Sequence, residues 1–185
     1  CPALVGGNVE VSQRLTDTLL KALKIQAASQ GTMNNLLFGN ESFGYYETIC
    51  GGCGAGPDFH GADAVHHHMT NTRITDPEIM EHKFPVQLER FEIRQNSGGL
   101  GEFNGGNGII REIKFLDTME LSLLTQRRNS GPYGMEGGQI GSTGKQTLIL
   151  SNQEIRNLDS ICSVKVMTND RLIIETPGGG GFGKG

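Results

Sequence analysis

Glycine is the residue that most limits what this chain can fold into. It occupies 28 of 185 positions, about twice its usual share of roughly 7%. Glycine permits tight turns and close approach of one backbone segment to another, and it weakens regular helices and strands. We therefore expect many turns, short strands and a ligand site shaped partly by the main chain.

Charge and hydropathy exclude several classes of protein. Charged residues make up 19% of the chain and the net charge is −4, so neither nucleic acid nor an anionic membrane surface is an expected partner. The longest apolar runs, such as residues 172–174, are far too short to span a bilayer. A chain of 185 residues can bury its own hydrophobic core without disulfide bonds.

The cysteines indicate a reducing compartment. Four of them, at positions 1, 50, 53 and 162, are too few for a disulfide scaffold, and the opening residues do not resemble a signal peptide. We therefore expect a cytoplasmic location. Cys1 could be an N-terminal nucleophile only after a processing event, and the sequence shows no sign of one.

One helix is predicted near the start of the chain. Apolar residues recur at helical spacing from Val11 to Leu23. Asn8 can cap this helix, and Glu10 suits the positive end of its dipole. We expect the helix to end near Lys24.

Residues 26–80 have no clear period. A long irregular segment inside a compact domain is usually either functional or disordered, and the aliphatic and aromatic side chains here favour an ordered structure. The sequence thus predicts a first unit over residues 1–84, which consists of the helix and a glycine-rich segment that carries the active site.

From Pro85 onward, alternating apolar residues predict antiparallel strands. The alternation slips at Glu89-Arg90, which indicates a bulge. Residues 109–115 and 119–123 are predicted to form a hairpin that turns at Asp117-Thr118.

Two further hairpins complete the predicted β-rich domain of residues 85–176. Residues 147–150 turn at 151–153, and residues 163–167 turn back into 171–175. The closing residues 177–185 have almost nothing to pack and are expected to form a flexible glycine-rich tail. The predicted fold class is α+β, with an N-terminal helix and irregular polar centre followed by a mainly antiparallel β C-terminal half.

A histidine cluster is the strongest candidate for chemistry. His66, His67 and His68 are consecutive, and a row of hydrogen-bonding residues with one cation, Arg73, follows. Two imidazoles on one face of a strand can bind a metal or act as acid and base, and Arg73 can grip a carboxylate or phosphate. A hydrogen-bonded structural segment is the alternative interpretation.

Two cysteines offer a second, weaker candidate. Cys50 and Cys53 could hold zinc together with His60 or the histidine triplet. The second pair of ligands lacks the usual structural spacing, so two small buried thiols are the simpler interpretation.

Two other motifs do not support nucleotide binding. The segment 141–145 (GSTGK) resembles a phosphate loop, but it lacks the required first glycine, where Gln139 stands, and the Ser or Thr after the lysine, where Gln146 stands. Arg127-Arg128 could contact an anion or a partner, although a solvated strand end is the more common outcome for such a pair.

Several segments together resemble the hydantoinase B/5-oxoprolinase family. They cover essentially the whole chain and include the following runs: GGNVEVSQR, QGTMNNLLFGN, YYETICGGCGAG, AVHHHMTNTRITDPE, LERFEIRQNSGGLGEFNGGNGIIREIKF, LLTQRRNSGPYGMEGG and ETPGGGGFG. The run MTNTRITDPE is long and specific. Family members are normally several hundred residues long, so this chain resembles the C-terminal portion of the B subunit or B half.

The resemblance implies part of an ATP-dependent cyclic amide hydrolase that opens 5-oxoproline or (N-methyl)hydantoin-type rings within an oligomer. ATP, with Mg, is expected on a partner hydantoinase A-type subunit or fused half. A divalent metal is expected upstream of this region in the full subunit, and none is assigned within it. An isolated chain would then be inactive.

The resemblance, together with the residue types, also suggests roles for individual side chains. His66, His68 and Asp76 are predicted catalytic residues, because the histidines can transfer protons and Asp76 can orient Arg73 or a histidine. The predicted substrate-binding residues are Asn34, Asn35, Glu47, Asn71, Thr72 and Arg73.

Three alternatives stay open. The region could be a non-catalytic module that docks the ATP-binding partner, a subunit of an acetone or acetophenone carboxylase, or a small zinc-stabilised domain.

Overall fold

The computed structural model describes residues 9–70 and 72–185. Its elements in chain order are α1 (Val9–Ala22), β1 (Asn35–Gly39), β2 (Gly44–Glu47), α2 (Pro77–Lys83), β3 (Val86–Ile93), β4 (Ile109–Phe115), β5 (Met119–Leu124), β6 (Lys145–Ile149), β7 (Ile155–Asn157), β8 (Ile161–Val166) and β9 (Arg171–Glu175). The predicted α+β class is confirmed. The strands are short, as the glycine content predicted.

The strands form two antiparallel sheets. The first has the order β2-β1-β5-β8, and the second has the order β3-β4-β9-β6-β7. Buried side chains from both sheets, such as Leu121 of the first and Ile113 of the second, belong to one hydrophobic cluster. The two sheets therefore share a core, which is the usual way for an antiparallel sheet to bury its apolar face.

Two details of the predicted β half are confirmed and two are wrong. The bulge lies where it was predicted, between Leu88 and Arg90, and β6 pairs with β7. However, β4 and β5 do not form a hairpin, and neither do β8 and β9, because each pair is divided between the two sheets. Alternation identified the strands, but both sheets produce the same alternation, so it could not assign partners.

The irregular segment contains more regular structure than the sequence indicated. A hairpin of β1 and β2 lies within it, and this hairpin joins β5 in the first sheet. The short helix α2 follows the histidine segment and begins at Pro77, a residue suited to a first helical turn. Neither helix in the described part of the chain is long and apolar enough to cross a membrane.

The helix α1 packs its polar face inward. It ends at Ala22, two residues before the predicted end, and the predicted cap Asn8 lies outside the described residues. Gln13 and Asp17 are buried. The apolar stripe is instead more than half exposed, at Val11, Leu15, Leu19 and Leu23. This arrangement places a carboxylate, rather than a leucine, against the rest of the molecule.

The glycine-rich tail is buried, whereas the sequence predicted a flexible tail with almost nothing to pack. Residues 177–183 are buried. Backbone amides of the tail donate to three separate segments of the chain. Gly180 donates to the carbonyl of Ala28, Gly179 to the carbonyl of Gly106, and Gly181 to the carbonyl of Gln139. The expected lack of contacts considered side chains alone, whereas backbone groups hold this segment.

Candidate functional site

The histidine segment is fastened to α1 by two side chains of the helix. Nε2 of His68 lies 3.2 Å from Oδ1 of Asp17, and the amide of Met69 donates to Oε1 of Gln13 over 2.9 Å. His68 has a left-handed backbone, with φ 53°, which is uncommon for a residue with a side chain. The inward polar face of α1 therefore sets the position of His68.

Asp17 is itself held on several sides. Its side chain is 2% exposed. The hydroxyl of Ser29 donates to Oδ2 over 2.9 Å and the Ser29 amide donates to Oδ1 over 3.2 Å, while the Tyr133 hydroxyl donates to the Asp17 carbonyl over 2.6 Å. A carboxylate with both oxygens engaged in this way keeps a fixed orientation.

His67 is a neutral neighbour of this pair. Its ring lies 4.9 Å from that of His68, and burial, followed by the effect of His68, lowers the pKa of His67 to about 4. Nδ1 of His67 lies 3.2 Å from the carbonyl of Val65, so the tautomer assigned from this contact carries its hydrogen on Nδ1. Nε2 of His67 is buried and has no partner among the described residues.

His66 faces a different group. Burial lowers its pKa, and the charge of Glu47 acts in the opposite direction. Neither ring nitrogen of His66 has a hydrogen-bond partner in the described part of the chain. The structure thus separates the two predicted catalytic histidines, since His68 pairs with a carboxylate of α1 and His66 lies within the electrostatic reach of Glu47.

Glu47 takes part in a buried ion pair that joins the two sheets. Its Oε2 lies 3.0 Å from Nη2 of Arg111, and their side chains are 3% and 0% exposed. Glu47 lies in β2 of the first sheet and Arg111 in β4 of the second, and Oε1 of Glu47 accepts the Thr75 amide over 2.9 Å. Because its carboxylate is engaged by these partners, the predicted role of Glu47 in substrate binding gives way to a structural one.

The residues after the histidines were predicted to bind substrate together, but Thr72 and Arg73 have different surroundings. The Thr72 hydroxyl lies 2.8 Å from that of Thr48. Arg73 is exposed. Asn71 lies outside the described residues. Of the predicted substrate-binding residues in this segment, Arg73 is the one whose exposed charge can meet an anionic ligand.

Asp76 is a helix cap rather than a partner of Arg73 or a histidine. Its carboxylate accepts the amides of Glu78 and Ile79, over 3.0 and 3.3 Å. These amides belong to the first turn of α2, where no intrahelical acceptor exists. The sequence Asp-Pro-Glu is a start signal for a helix, which accounts for Asp76 without a catalytic role.

The two predicted asparagines are also placed apart from the histidines. Asn34 is fully buried, where its amide group donates to Gln30 and to the carbonyl of Ile49 and its oxygen accepts Arg128 over 2.8 Å. Asn35 accepts the Tyr46 hydroxyl and lines a separate cleft of about 380 Å³. A hydrogen-bonded core asparagine explains the first of these positions.

The residues proposed to hold zinc do not come together. Nδ1 of His60 accepts the Asn104 amide over 2.8 Å, and Sγ of Cys53 accepts from Gln26. Burial raises the pKa of the Cys50 thiol to about 11, which opposes the thiolate that zinc requires. No three His, Cys, Asp or Glu side chains converge anywhere in residues 9–70 and 72–185 in a way that would hold a metal.

Two arginines follow β5, and neither is a solvated strand end. Arg128 is mostly buried and donates to Asn34, Gln126 and Gln146, and burial lowers its pKa to about 10. Nε of Arg127 has no partner among the described residues. A Cβ at Gly31, whose φ is +63°, would lie 3.0 Å from that Nε and 3.4 Å from Oδ2 of Asp17, so a glycine leaves this space open.

The segment 141–145 is not a phosphate loop. The amides of Gly141 and Gly144 donate to the carbonyls of Pro132 and Arg127, and Lys145 begins strand β6. A phosphate loop instead precedes a helix, whose N-terminus binds the phosphates.

Sequence reasoning missed the most buried part of the site. Asp17, Gln13 and Ser29 were not identified, although Gln13 and Asp17 stand four residues apart on one face of a predicted helix. Two polar residues at that spacing, on the face opposite the leucines, were the available signal. Nothing in the sequence indicated that this polar face would be the one to pack inward.

Comparison with known proteins agrees with the resemblance seen in the sequence. The family model described as hydantoinase B/oxoprolinase matches residues 2–185. The chain is 52% identical over 182 residues to the 5-oxoprolinase of Dictyostelium discoideum, where the match covers 98% of this chain and 14% of that protein. The chain therefore spans about a seventh of the length of that relative.

Two solved structures share the fold. An ATP-dependent caprolactamase from Pseudomonas jessenii has a TM-score of 0.73 at 20% identity, covering 90% of this chain and 32% of the other. A nucleotide-free acetone carboxylase has a TM-score of 0.69 at 18% identity, covering 85% and 26%. The match of the family model over nearly the whole sequence shows that the chain belongs to the hydantoinase B/oxoprolinase family.

Proposed function

We propose that this chain is part of an ATP-dependent enzyme that opens cyclic amides, with 5-oxoproline or an (N-methyl)hydantoin-type ring as substrate. The observation that carries the proposal is its 52% identity, over 98% of its length, to a protein named 5-oxoprolinase. The pairing of His68 with the buried Asp17 adds a group suited to proton transfer.

The chemistry requires activation and then proton transfer. A ring amide is a poor electrophile, and phosphorylation of its oxygen by ATP makes the carbonyl carbon open to attack by water. As the first water adds, it gives up a proton, and the ring nitrogen takes up a proton as the C–N bond breaks, which leaves an acyl phosphate. A second water then attacks this acyl phosphate and releases inorganic phosphate and the open-chain carboxylate. We assign the proton transfer to His68, and His66, whose ring nitrogens have no partner among the described residues, is the second candidate.

An anion forms along this path, and cations of the chain can stabilise it. Arg73 is exposed beside the histidine segment. Arg127 lies near Asp17 with an unpartnered Nε. We propose that these guanidinium groups hold the substrate carboxylate or the phosphorylated intermediate, since both are planar or tetrahedral oxyanions that suit bidentate binding.

The remaining components belong to other parts of the complex. We propose that ATP with Mg binds to a hydantoinase A-type subunit or fused half, because the segment 141–145 leads into a strand rather than a helix. We also propose that any divalent metal lies outside this region, that the complex is a cytoplasmic oligomer, and that this chain has no activity alone.

Replacing His68 in the complete enzyme tests the assignment. We expect His68→Ala to lower kcat for lactam-dependent ATP hydrolysis and ring opening by about 100-fold or more, the usual contribution of an acid or base. His82→Ala is the matched control, since His82 is exposed in the last turn of α2. Unchanged turnover in the His68 variant would remove its catalytic role.

The same assay separates the proposed reaction from the alternatives. ATP hydrolysis that responds to acetone and bicarbonate, and not to lactams, would indicate a carboxylase. Alanine substitutions at residues 66–68 that weaken complex formation, yet leave the turnover of each assembled complex intact, would indicate a docking module.

A further inference from the structure

We propose that Asp17 is a positioning residue for His68: it fixes the imidazole ring and its tautomer so that Nδ1 of His68 exchanges the proton during ring opening. This inference rests on the proposed function. It adds a residue of α1, 51 positions before the histidine, to a site whose predicted residues all lay between Asn34 and Asp76.

The contact itself defines the tautomer. Nε2 of His68 lies 3.2 Å from Oδ1 of Asp17, and a carboxylate oxygen can only accept a hydrogen bond. Nε2 must therefore carry a hydrogen in both the neutral and the protonated ring. Nδ1 is then the nitrogen that loses or gains a proton, as in other imidazoles that are oriented by a buried carboxylate.

The carboxylate has the supports that such a role requires. Both oxygens of Asp17 accept hydrogen bonds from Ser29, and the Tyr133 hydroxyl holds the backbone of Asp17 over 2.6 Å. A free carboxylate can rotate about its side-chain bonds, whereas this one presents Oδ1 to His68 in one direction. Rotation of the imidazole is restricted by the same contact.

The backbone of His68 is held in an uncommon conformation. Its φ is 53°, and a left-handed conformation is strained for a residue with a side chain. Two contacts hold the turn around it: the amide of Met69 donates to Gln13, and the Thr70 hydroxyl donates to the carbonyl of His67. Strain that is held in place by its surroundings is a recurrent feature of functional sites.

Among the charged groups around the pair, Asp17 is the one that contacts His68. His67, on the same segment, is neutral because burial lowers its pKa to about 4. From the segment after β5, Arg127 approaches Asp17 across the space beside Gly31, and Arg14 of α1 carries a second positive charge near Arg127. Tyr133, whose pKa burial raises to about 12, stays neutral.

A double-mutant cycle in the complete enzyme tests the proposal. We expect Asp17→Asn, which keeps the size of the side chain, to lower kcat about 10- to 100-fold, the range for losing the hydrogen-bond partner of a functional histidine, with KM changed less than about threefold. In a His68→Ala background the same substitution should have almost no further effect on kcat, because the residues act as one unit.

Two controls guard against a purely structural effect. Asp58→Asn changes an exposed carboxylate and should leave kcat unchanged. If Asp17→Asn prevents assembly, Ser29→Ala removes the hydroxyl from Oδ2 and leaves the carboxylate, and its smaller loss of kcat must likewise disappear in the His68→Ala background. Equal losses in both backgrounds would show that Asp17 or Ser29 acts through packing and would overturn the proposal.

A structural measurement keeps the proposal distinct from the proposed function. In a density map of the complete Asp17→Asn protein, the His68 ring should turn away from the orientation that it has in the wild type. An unchanged ring would overturn the positioning role, whether or not the wild-type enzyme opens lactams. If the wild type opens no lactam but the ring turns, the proposed reaction fails and the positioning by Asp17 stands.

Discussion

His67 couples the stability of the fold to pH. Burial lowers its pKa to about 4, against about 6.5 in an unfolded chain. As pH falls below about 6.5 the unfolded chain binds a proton that the folded chain does not, so the stability that is present above this pH is lost toward pH 4. These two pKa values correspond to a loss of about 2 kcal/mol in the free energy of unfolding at pH 5.

Replacing His67 should remove this part of the pH dependence. The side-chain amide of His67→Asn can still donate to Val65. Between pH 7 and pH 5, we expect the free energy of unfolding of this variant to fall by about 2 kcal/mol less than that of the wild type. Denaturant titrations at the two pH values measure it, with the exposed His82→Asn as control. Equal pH dependence in all three proteins would contradict a neutral buried His67.

At the scale of elements, the glycine-rich tail is the most consequential segment. A Cβ at Gly179 would lie 1.9 Å from the carbonyl oxygen of Cys53, and the backbone of Gly179 bonds to Gly106 and Gly99. A neighbouring backbone atom cannot move aside as the end of a side chain can. Glycine is required here by close packing of main chains, rather than by a left-handed φ.

A single methyl group in the tail should therefore destabilise the fold. We expect Gly179→Ala to lower the free energy of unfolding by about 3 kcal/mol, the upper part of the range for overpacking. Gly44→Ala is the matched control, because a Cβ at Gly44 meets nothing within 4 Å, and its effect should stay below about 1 kcal/mol. Similar denaturation midpoints for the two variants would argue against the packed tail.

The helix α1 shows how an element can be recognised while its orientation is not. Its helical spacing was evident, and its bounds were predicted to within two residues at the C-terminal end. The side that packs inward was not evident, because an apolar stripe ordinarily faces the core. Here the inward side carries Gln13 and Asp17, which form hydrogen bonds with the histidine segment and so offset the cost of their burial.

At the scale of the whole molecule, the two sheets form one core. The site lies outside this core, where α1 contacts the histidine segment. The Glu47–Arg111 ion pair connects the sheets, and Glu47 also accepts the Thr75 amide and acts electrostatically on His66. The segment 141–145 leads into strand β6 rather than to a helix N-terminus, which supports the proposal that a partner binds the nucleotide.

Calorimetry can test whether this chain binds the nucleotide. We expect the purified chain to bind no MgATP and to release no phosphate from it, since segment 141–145 ends in strand β6 rather than at a helix N-terminus. The hydantoinase A-type partner alone serves as the positive control for binding. Stoichiometric binding of MgATP by this chain would contradict the proposal that the partner binds the nucleotide.

The sequence by itself determined the α+β class, the strands and the bulge near Glu89-Arg90, because these depend on periodicity within short segments. It also pointed to His66 and His68, since such residues are rare and stand together. Tertiary structure alone decided which strands pair, that Asp76 caps a helix, that the tail is buried, and that Asp17 meets His68. These outcomes depend on contacts between segments far apart in the chain, and local pattern carries no record of such contacts.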